Sequence, residues 1–236
     1  VDRVSSSSTR LRVPDADDRG DLAAFVGRVV RLDPTAVVRL RVGGGTRVTA
    51  WATTPFDVLA TRSVPASLAP NDVTVPATVL LTALSVDRAQ TVDLGVGGVW
   101  QGLLPPDDGW AAVDTVPAAE LEALAERGLA LARENAGPLG PPASLLDQTV
   151  LTVSAAKDTS LGRPESGRPV KVPLRCLFAL SGMGFLGASD VAPDGSPEVV
   201  RVAATPSWLR LDARYGAVVR RRITTLPLLA SGPAIS

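Results

Sequence analysis

Few residues in this chain have types and spacings that could do covalent chemistry. Ser154 and Lys157 stand at the S-x-x-K spacing (SAAK), in which a lysine amine takes the proton of a serine hydroxyl and frees it for acyl transfer. That mechanism wants the serine to open a helix, with a KTG element further on. Ser154 instead closes a predicted strand, and no KTG follows. The acid pairs Asp17–Asp18 and Asp107–Asp108 lie in turn sequences and read as solvated loop residues. Cys176, the one cysteine, sits inside an apolar run, where a thiol behaves as a small hydrophobe. Histidine is absent, which removes the commonest general base near neutral pH and the commonest metal ligand.

Two glycine clusters invite a phosphate-binding reading and do not fit it. Gly43–Gly45 falls between two alternating segments, so it turns a hairpin and does not open a helix. Gly95–Trp100 (GVGGVW) lacks the third glycine of the dinucleotide fingerprint and reads as a turn. The sequence therefore predicts no catalytic, cofactor-binding or metal-ligating residue, and no cofactor.

Charge gives one further candidate. Arg210, Arg214, Arg220, Arg221 and Arg222 form the only basic concentration, and Arg28 and Arg31 share one side of a predicted helix. These seven are the candidate nucleic-acid contacts. Leu226, Leu228 and Leu229, in the apolar knot of the tail TTLPLLASGPAIS, are the candidate partner contacts. Alternating arginine on a strand is also an ordinary solvated face.

The whole chain sets the frame for these residues. Its 236 residues suffice for one large domain or two of about 110. Apolar residues make up 45% but aromatic ones only 4%, so Val, Leu and Ala must fill the core. Lys+Arg and Asp+Glu balance at 24 each, which gives no global pull toward nucleic acid or an anionic membrane. No stretch reaches the ~20 apolar residues of a membrane span. A single cysteine suits a reducing compartment, and the expected location is the cytoplasm.

Periodicity then supplies the elements. Leu22, Phe25, Val26 and Val29 fall at helical spacing within a helix expected over 21–32. Alternating strands are expected at 36–42 and 47–53, then at 56–64. Short strands are expected at 91–94 and 99–103, and PPDDG at 105–109 marks a boundary. A helix over 117–135 carries Leu121, Leu124, Ala125 and Gly128 on one stripe. A strand is expected at 148–154, and three more at 198–204, 207–214 and 217–223.

The phrase that organises the chain is strand, proline, helix. It occurs as VKVP ending at Pro173 before an almost wholly apolar helix, and as VTVP ending at Pro76 before another. DTVP at Pro117 and the looser LRVP at Pro14 extend the series. Proline suits a first helical turn because its missing N–H needs no partner there. The predicted order is β-α-β-β-β, given four times with loose ends.

That order resembles the sliding-clamp processivity factors of DNA replication. The likeness rests on LRV…DLAAFVGRVVRL, the hairpin VVRLRVGGGTRVTAWA, and DVTVPATVLLTAL, followed in the second half by WAAVDTVPAAELEALAERGLALA. The resemblance implies two β-α-β-β-β halves per domain, helices lining a DNA channel, and trimeric ring closure. Here the channel helices would offer Arg28, Arg31, Arg127, Arg133 and Arg175, countered by glutamates on the third and by no charge on the second.

The resulting expectation is an α+β protein of two similar halves, with helices packed on one face of antiparallel sheets. Residues 1–8 form a disordered tail, 9–107 and 108–225 two clamp-like domains, and 226–236 a tail. The function expected is a non-catalytic scaffold with a protein partner or self-association, DNA as a candidate partner, and neither membrane nor metal. One alternative is a winged-helix DNA reader with helices at 145–151 and 172–186 and a wing at 208–222. The other is an enzyme built on Ser154 or an acid pair.

Overall fold

The computed structural model describes residues 9–86, 91–94, 97–138, 141–154, 169–186 and 196–222. The first half opens with β1 (Arg10–Arg12), α1 (Ala16–Leu32), β2 (Val37–Val42), β3 (Arg47–Thr54) and β4 (Val58–Pro65). It continues through β5 (Ser67–Ala69), β6 (Asp72–Pro76), α2 (Ala77–Val86) and β7 (Thr91–Asp93). The second half holds β8 (Ala111–Pro117), α3 (Ala118–Glu134), α4 (Ala143–Leu146) and β9 (Thr149–Val153). It ends with β10 (Val170–Pro173), α5 (Leu174–Gly182), β11 (Val199–Ala204), β12 (Trp208–Ala213) and β13 (Gly216–Arg221).

Strand-proline-helix holds at three places as expected: β6 runs into α2, β8 into α3 and β10 into α5. The fourfold count does not. Only β1-α1-β2-β3-β4 and β10-α5-β11-β12-β13 are complete β-α-β-β-β units among the described residues. The two middle units are reduced to a helix with a single short strand after it, β7 or β9. The expected strand at 99–103 does not form.

The last three strands of each complete unit meet in one eight-stranded sheet of order β6-β2-β3-β4-β13-β12-β11-β8, while β1 pairs with β5 and β7, and β10 with β9, in two small sheets. Its midpoint is the antiparallel pairing of β4 with β13, with Leu59 opposite Val219 and Ala60 opposite Val218. Going outward from that seam, β3, β2 and β6 on one side correspond to β12, β11 and β8 on the other. This is an α+β fold of two similar halves, with helices on one face of an antiparallel sheet.

Alternation explains which face is covered. Val38, Leu40, Val48, Ala50, Ala52, Val58, Ala60 and Val64 point to the helical side of the first half and are buried. Leu209, Leu211, Val218, Val200 and Val202 do the same in the second. Against them α1 lays Leu22, Phe25, Val26 and Val29. That helix starts at Ala16, earlier than periodicity predicts, because the Asp15 carboxylate accepts from the Asp17 and Asp18 N–H groups at 2.8 and 3.1 Å and caps it.

The apolar helix α5 is buried from Leu174 through Leu180 because both halves enclose it. It packs on α3 from one side. From the other, Phe56 meets Phe178 edge-on at 5.8 Å, and Phe25 stacks on Phe185 at 6.3 Å. Each buried Leu or Phe there contributes roughly 2 kcal/mol. A winged-helix recognition helix needs an exposed side, which α5 lacks, so that alternative is overturned. Residues 145–151, its other helix, instead close the single turn α4 and enter strand β9.

Candidate functional site

The seam between β4 and β13 is covered by helices on one face only. On the opposite, outer face the side chains of Thr53, Leu59, Val219, Arg221 and Trp208 line up across β3, β4, β13 and β12, as their register requires. They form the floor and one wall of a groove of about 820 Å³, closed on its other side by Gln101, Gly102 and Leu103. An outer sheet face facing water is normally polar. Here Leu59 and Trp208 are half-buried, Val219 is fully buried and Leu103 is 66% exposed.

The connecting segment that makes the far wall is held by local chemistry. The Gly98 N–H donates to the Thr74 carbonyl at 2.6 Å, against edge strand β6. A Cβ on Gly97 would lie 2.2 Å from that same carbonyl oxygen, so only glycine can run so close. Gly97 and Gly98 of GVGGVW therefore mark a close approach to a strand edge. The Trp100 indole donates to the Gly102 carbonyl at 3.1 Å, and the Trp110 indole to that of Pro106 at 3.0 Å, bracing both ends of the segment.

Across the groove, the Thr205 hydroxyl accepts from the Ser207 and Trp208 N–H groups and shapes the turn that presents Trp208. Arg222 follows β13 at the rim. Its N–H donates to the Ser207 carbonyl at 2.7 Å and its guanidinium to the Thr205 carbonyl at 3.0 Å. Arg221 projects from the same rim, exposed.

The candidate arginines do not form one patch. Strand alternation sends Arg210 to the outer face, where it pairs with Asp212 at 2.7 Å and lies over the Trp110 ring. Arg220 points the other way and pairs with Asp147 at 2.9 Å on the helical side. Arg214, in the turn, covers the Tyr215 ring. Arg28 is half-buried with its guanidinium against Gly184, and Arg31 is exposed at the end of α1. Arg175, expected to face a channel, is buried. It pairs with Asp147 at 2.8 Å and donates to the Phe56 carbonyl at 2.9 Å. Leu226, Leu228 and Leu229 lie outside the described residues.

The enzyme candidates are dispersed. Ser154 is exposed just past β9, and Lys157 lies outside the described residues. Asp17 and Asp18 open α1, and Asp107 sits near Arg41 on the surface. Burial pushes the Cys176 thiol up to about 12, where it is inert at neutral pH. No group of three His, Cys, Asp or Glu side chains among the described residues could hold a metal ion, and no helix among them is long and apolar enough to cross a membrane.

Helices on one face, a continuous sheet on the other and a connecting segment lying on that outer face define a sliding-clamp-like fold. Solved structures agree. The chain is similar over 94% of its length to the DNA polymerase sliding clamp from Bacillus subtilis, with a TM-score of 0.56, 14% identity and 66% of that chain covered. It is similar over 93% to the β sliding clamp from C. crescentus, with a TM-score of 0.54 and 16% identity, covering 66% of that chain. For the Pseudomonas aeruginosa clamp the figures are 92%, 0.52, 14% and 65%. The chain thus spans just under two thirds of the length of these clamps, and at such identities the likeness is one of fold. Residues 105–225 match the domain of unknown function DUF8185, and the chain belongs to that family; residues 6–101 match the domain of unknown function DUF8010. No curated protein matches it.

Proposed function

We propose that this chain is a non-catalytic scaffold that binds a protein partner in the outer-face groove over the β4–β13 seam. The observation that carries the reading is the mixed chemistry of that groove. Leu59, Trp208 and Leu103 offer apolar surface, and Arg221 offers a charge with no ion-pair partner among the described residues. An extended segment with an apolar side chain beside a carboxylate would complement both. Division into units 9–107 and 108–225 is part of the proposal, supported by the mirrored strand order about the seam. A cytoplasmic setting suits the single free cysteine.

Duplex DNA is the weaker partner class. On α1 the exposed Arg31 is offset by Asp17 and Asp21, and on α3 the exposed Arg127 and Arg133 by Glu120, Glu126 and Glu134. Binding to a duplex depends on several net neutralised phosphates. Self-association is a second reading, favoured by β8, which among the described residues pairs with β11 on one side only. Light scattering across a concentration series tests it: a constant monomer mass contradicts it, and a concentration-dependent multimer supports it.

The groove is tested by selecting displayed peptides against the whole chain and measuring the selected sequences by calorimetry. Binding in the micromolar range, weakened at least tenfold by Trp208→Ala and by Arg221→Glu, is expected. Equal binding to both variants would place the contact elsewhere. Salt-dependent retention of duplex DNA without any selected peptide would favour the DNA reading.

A further inference from the structure

A second face of the molecule carries chemistry that the groove does not use. Strand β1 is the central strand of a small sheet, paired with β5 on one side and β7 on the other. Leu11 stands opposite Leu68 and Val92, and all three are buried. Alternation therefore turns Arg10 and Arg12 to the opposite side, where both are exposed. There Arg12 lies between Ser67 and Thr91, and Arg10 between Ala69 and Asp93. Arg10, Arg12, Ser67, Ala69 and Thr91 line an open basin of about 530 Å³.

We propose that this basin is a phosphate-binding site, in which Arg12 and Arg10 donate to phosphate oxygens and the Ser67 and Thr91 hydroxyls flank them. Phosphate is the chemistry shared by two sources, a small phosphorylated molecule and a nucleic-acid backbone. The site lies on a different sheet from the groove and does not depend on the partner reading.

Three observations carry it. Five strand arginines are matched by a carboxylate: Arg39 and Arg41 by Asp72, Arg62 by Asp21, Arg210 by Asp212 and Arg220 by Asp147. Arg10 and Arg12 have no ion-pair or hydrogen-bond partner among the described residues. Asp93, across from Arg10, offsets part of its charge, so Arg12 is the principal ligand. The second observation is position. A guard against edge-to-edge pairing does not explain these arginines, because β1 is hydrogen-bonded on both sides and presents no edge. Two like charges on one strand face, roughly 7 Å apart by the rise of two residues, repel until an anion sits between them. The third is the donor set. Two guanidinium forks flanked by two hydroxyls offer more donors than the two oxygens of a carboxylate accept, and they suit the tetrahedral oxygens of phosphate.

The test follows the arginine Nε–Hε signals of the full chain by NMR at constant ionic strength, assigned by their loss in Arg10→Gln and Arg12→Gln. Both substitutions lie on an exposed face, so the melting temperature should not change. Inorganic phosphate is expected to move the Arg12 and Arg10 signals along a saturating curve, and pyrophosphate to bind about fivefold more tightly. Arg12→Gln should weaken pyrophosphate about tenfold, read at Arg10, and Thr91→Val about twofold. Equal, unsaturated shifts at Arg10, Arg12, Arg31 and Arg133 would be charge screening alone and would overturn the site. Unchanged affinity in Arg12→Gln, or acetate that saturates the signals as tightly as phosphate, would overturn it too. A single-stranded thymidine oligonucleotide that binds more tightly than pyrophosphate, and is lost in Arg12→Gln, supports the site and assigns it to a nucleic-acid backbone. Pyrophosphate binding the more tightly supports it and assigns it to a small phosphorylated molecule.

Discussion

The guanidinium of Arg175 donates to the main-chain carbonyl of Phe56 at 2.9 Å, joining the helix of one half to the β3–β4 turn of the other across 119 positions. The same side chain pairs with Asp147 at 2.8 Å and is only 8% exposed. Replacing Arg175 with Met keeps the packing volume but takes the donor from the part-buried Phe56 carbonyl and one of two arginines from Asp147. Asp147 retains Arg220, so the expected loss is about 2–3 kcal/mol. Thermal unfolding should then fall by roughly 5–10 °C for a chain of this size. A change below one degree would show that the arginine is not a tie between the halves.

Gly216 opens β13 with its Cα against the ring of Phe185. A Cβ there would lie 2.5, 2.6 and 2.9 Å from three ring carbons, and that ring is fully buried in its stack on Phe25. The ring cannot step aside, so Gly216→Ala should cost about 2 kcal/mol through overpacking. Denaturant titration should show a lower midpoint with an unchanged slope. An unaltered midpoint would contradict the packing described.

Cys176 should be silent to thiol reagents in the native state. Burial raises its thiol from 9.0 to about 12, outweighing the pull of Arg220 and Arg175. Labelling at pH 8 should therefore proceed only through unfolding and accelerate in parallel with denaturant-induced opening. The sign for stability follows. The folded state holds the proton more tightly, so this contribution is complete below pH 9 and is lost as pH rises from 9 toward 12. Cys176→Ala should flatten that alkaline decline. Rapid labelling of the native chain would contradict the burial.

Asp72 should matter less, and only above acid pH. Arg39 grips its carboxylate with two hydrogen bonds, at 2.8 and 2.7 Å, which holds the acid below its ordinary 3.8. Both side chains are partly exposed, so Asp72→Asn should cost no more than about 1 kcal/mol at pH 7. That difference should shrink as pH falls through 3.8 and below. A difference that persisted at pH 2 would mean the pair acts through something other than charge.

Much of the fold was legible in the residues because hydrophobic periods of 3.6 and 2 dominate this aromatic-poor chain. The α1 stripe, the β2–β3 hairpin around Gly43–Gly45 and the apolar α5 all follow from pattern. The strand expected at 99–103 failed because the segment crosses the outer face of the sheet without pairing into a ladder among the described residues, leaving Val99 and Leu103 exposed. The groove was illegible for a related reason. It exists only because Leu59 and Val219 are placed opposite each other by a pairing across 160 residues. One signal was available: Ala217, Val218 and Val219 are apolar in succession, which marks a strand covered on both faces. The arginine cluster misled because strand alternation separates residues that the sequence lists side by side.

Where a partner sits on the chain is read by hydrogen exchange of the whole chain alone and of the chain saturated by a groove-selected peptide. Added protection is expected at Thr53–Leu59, Gln101–Leu103 and Trp208, with α1 and α3 unchanged. Protection confined to the exposed faces of α1 and α3 would contradict it and return the binding surface to the helical side.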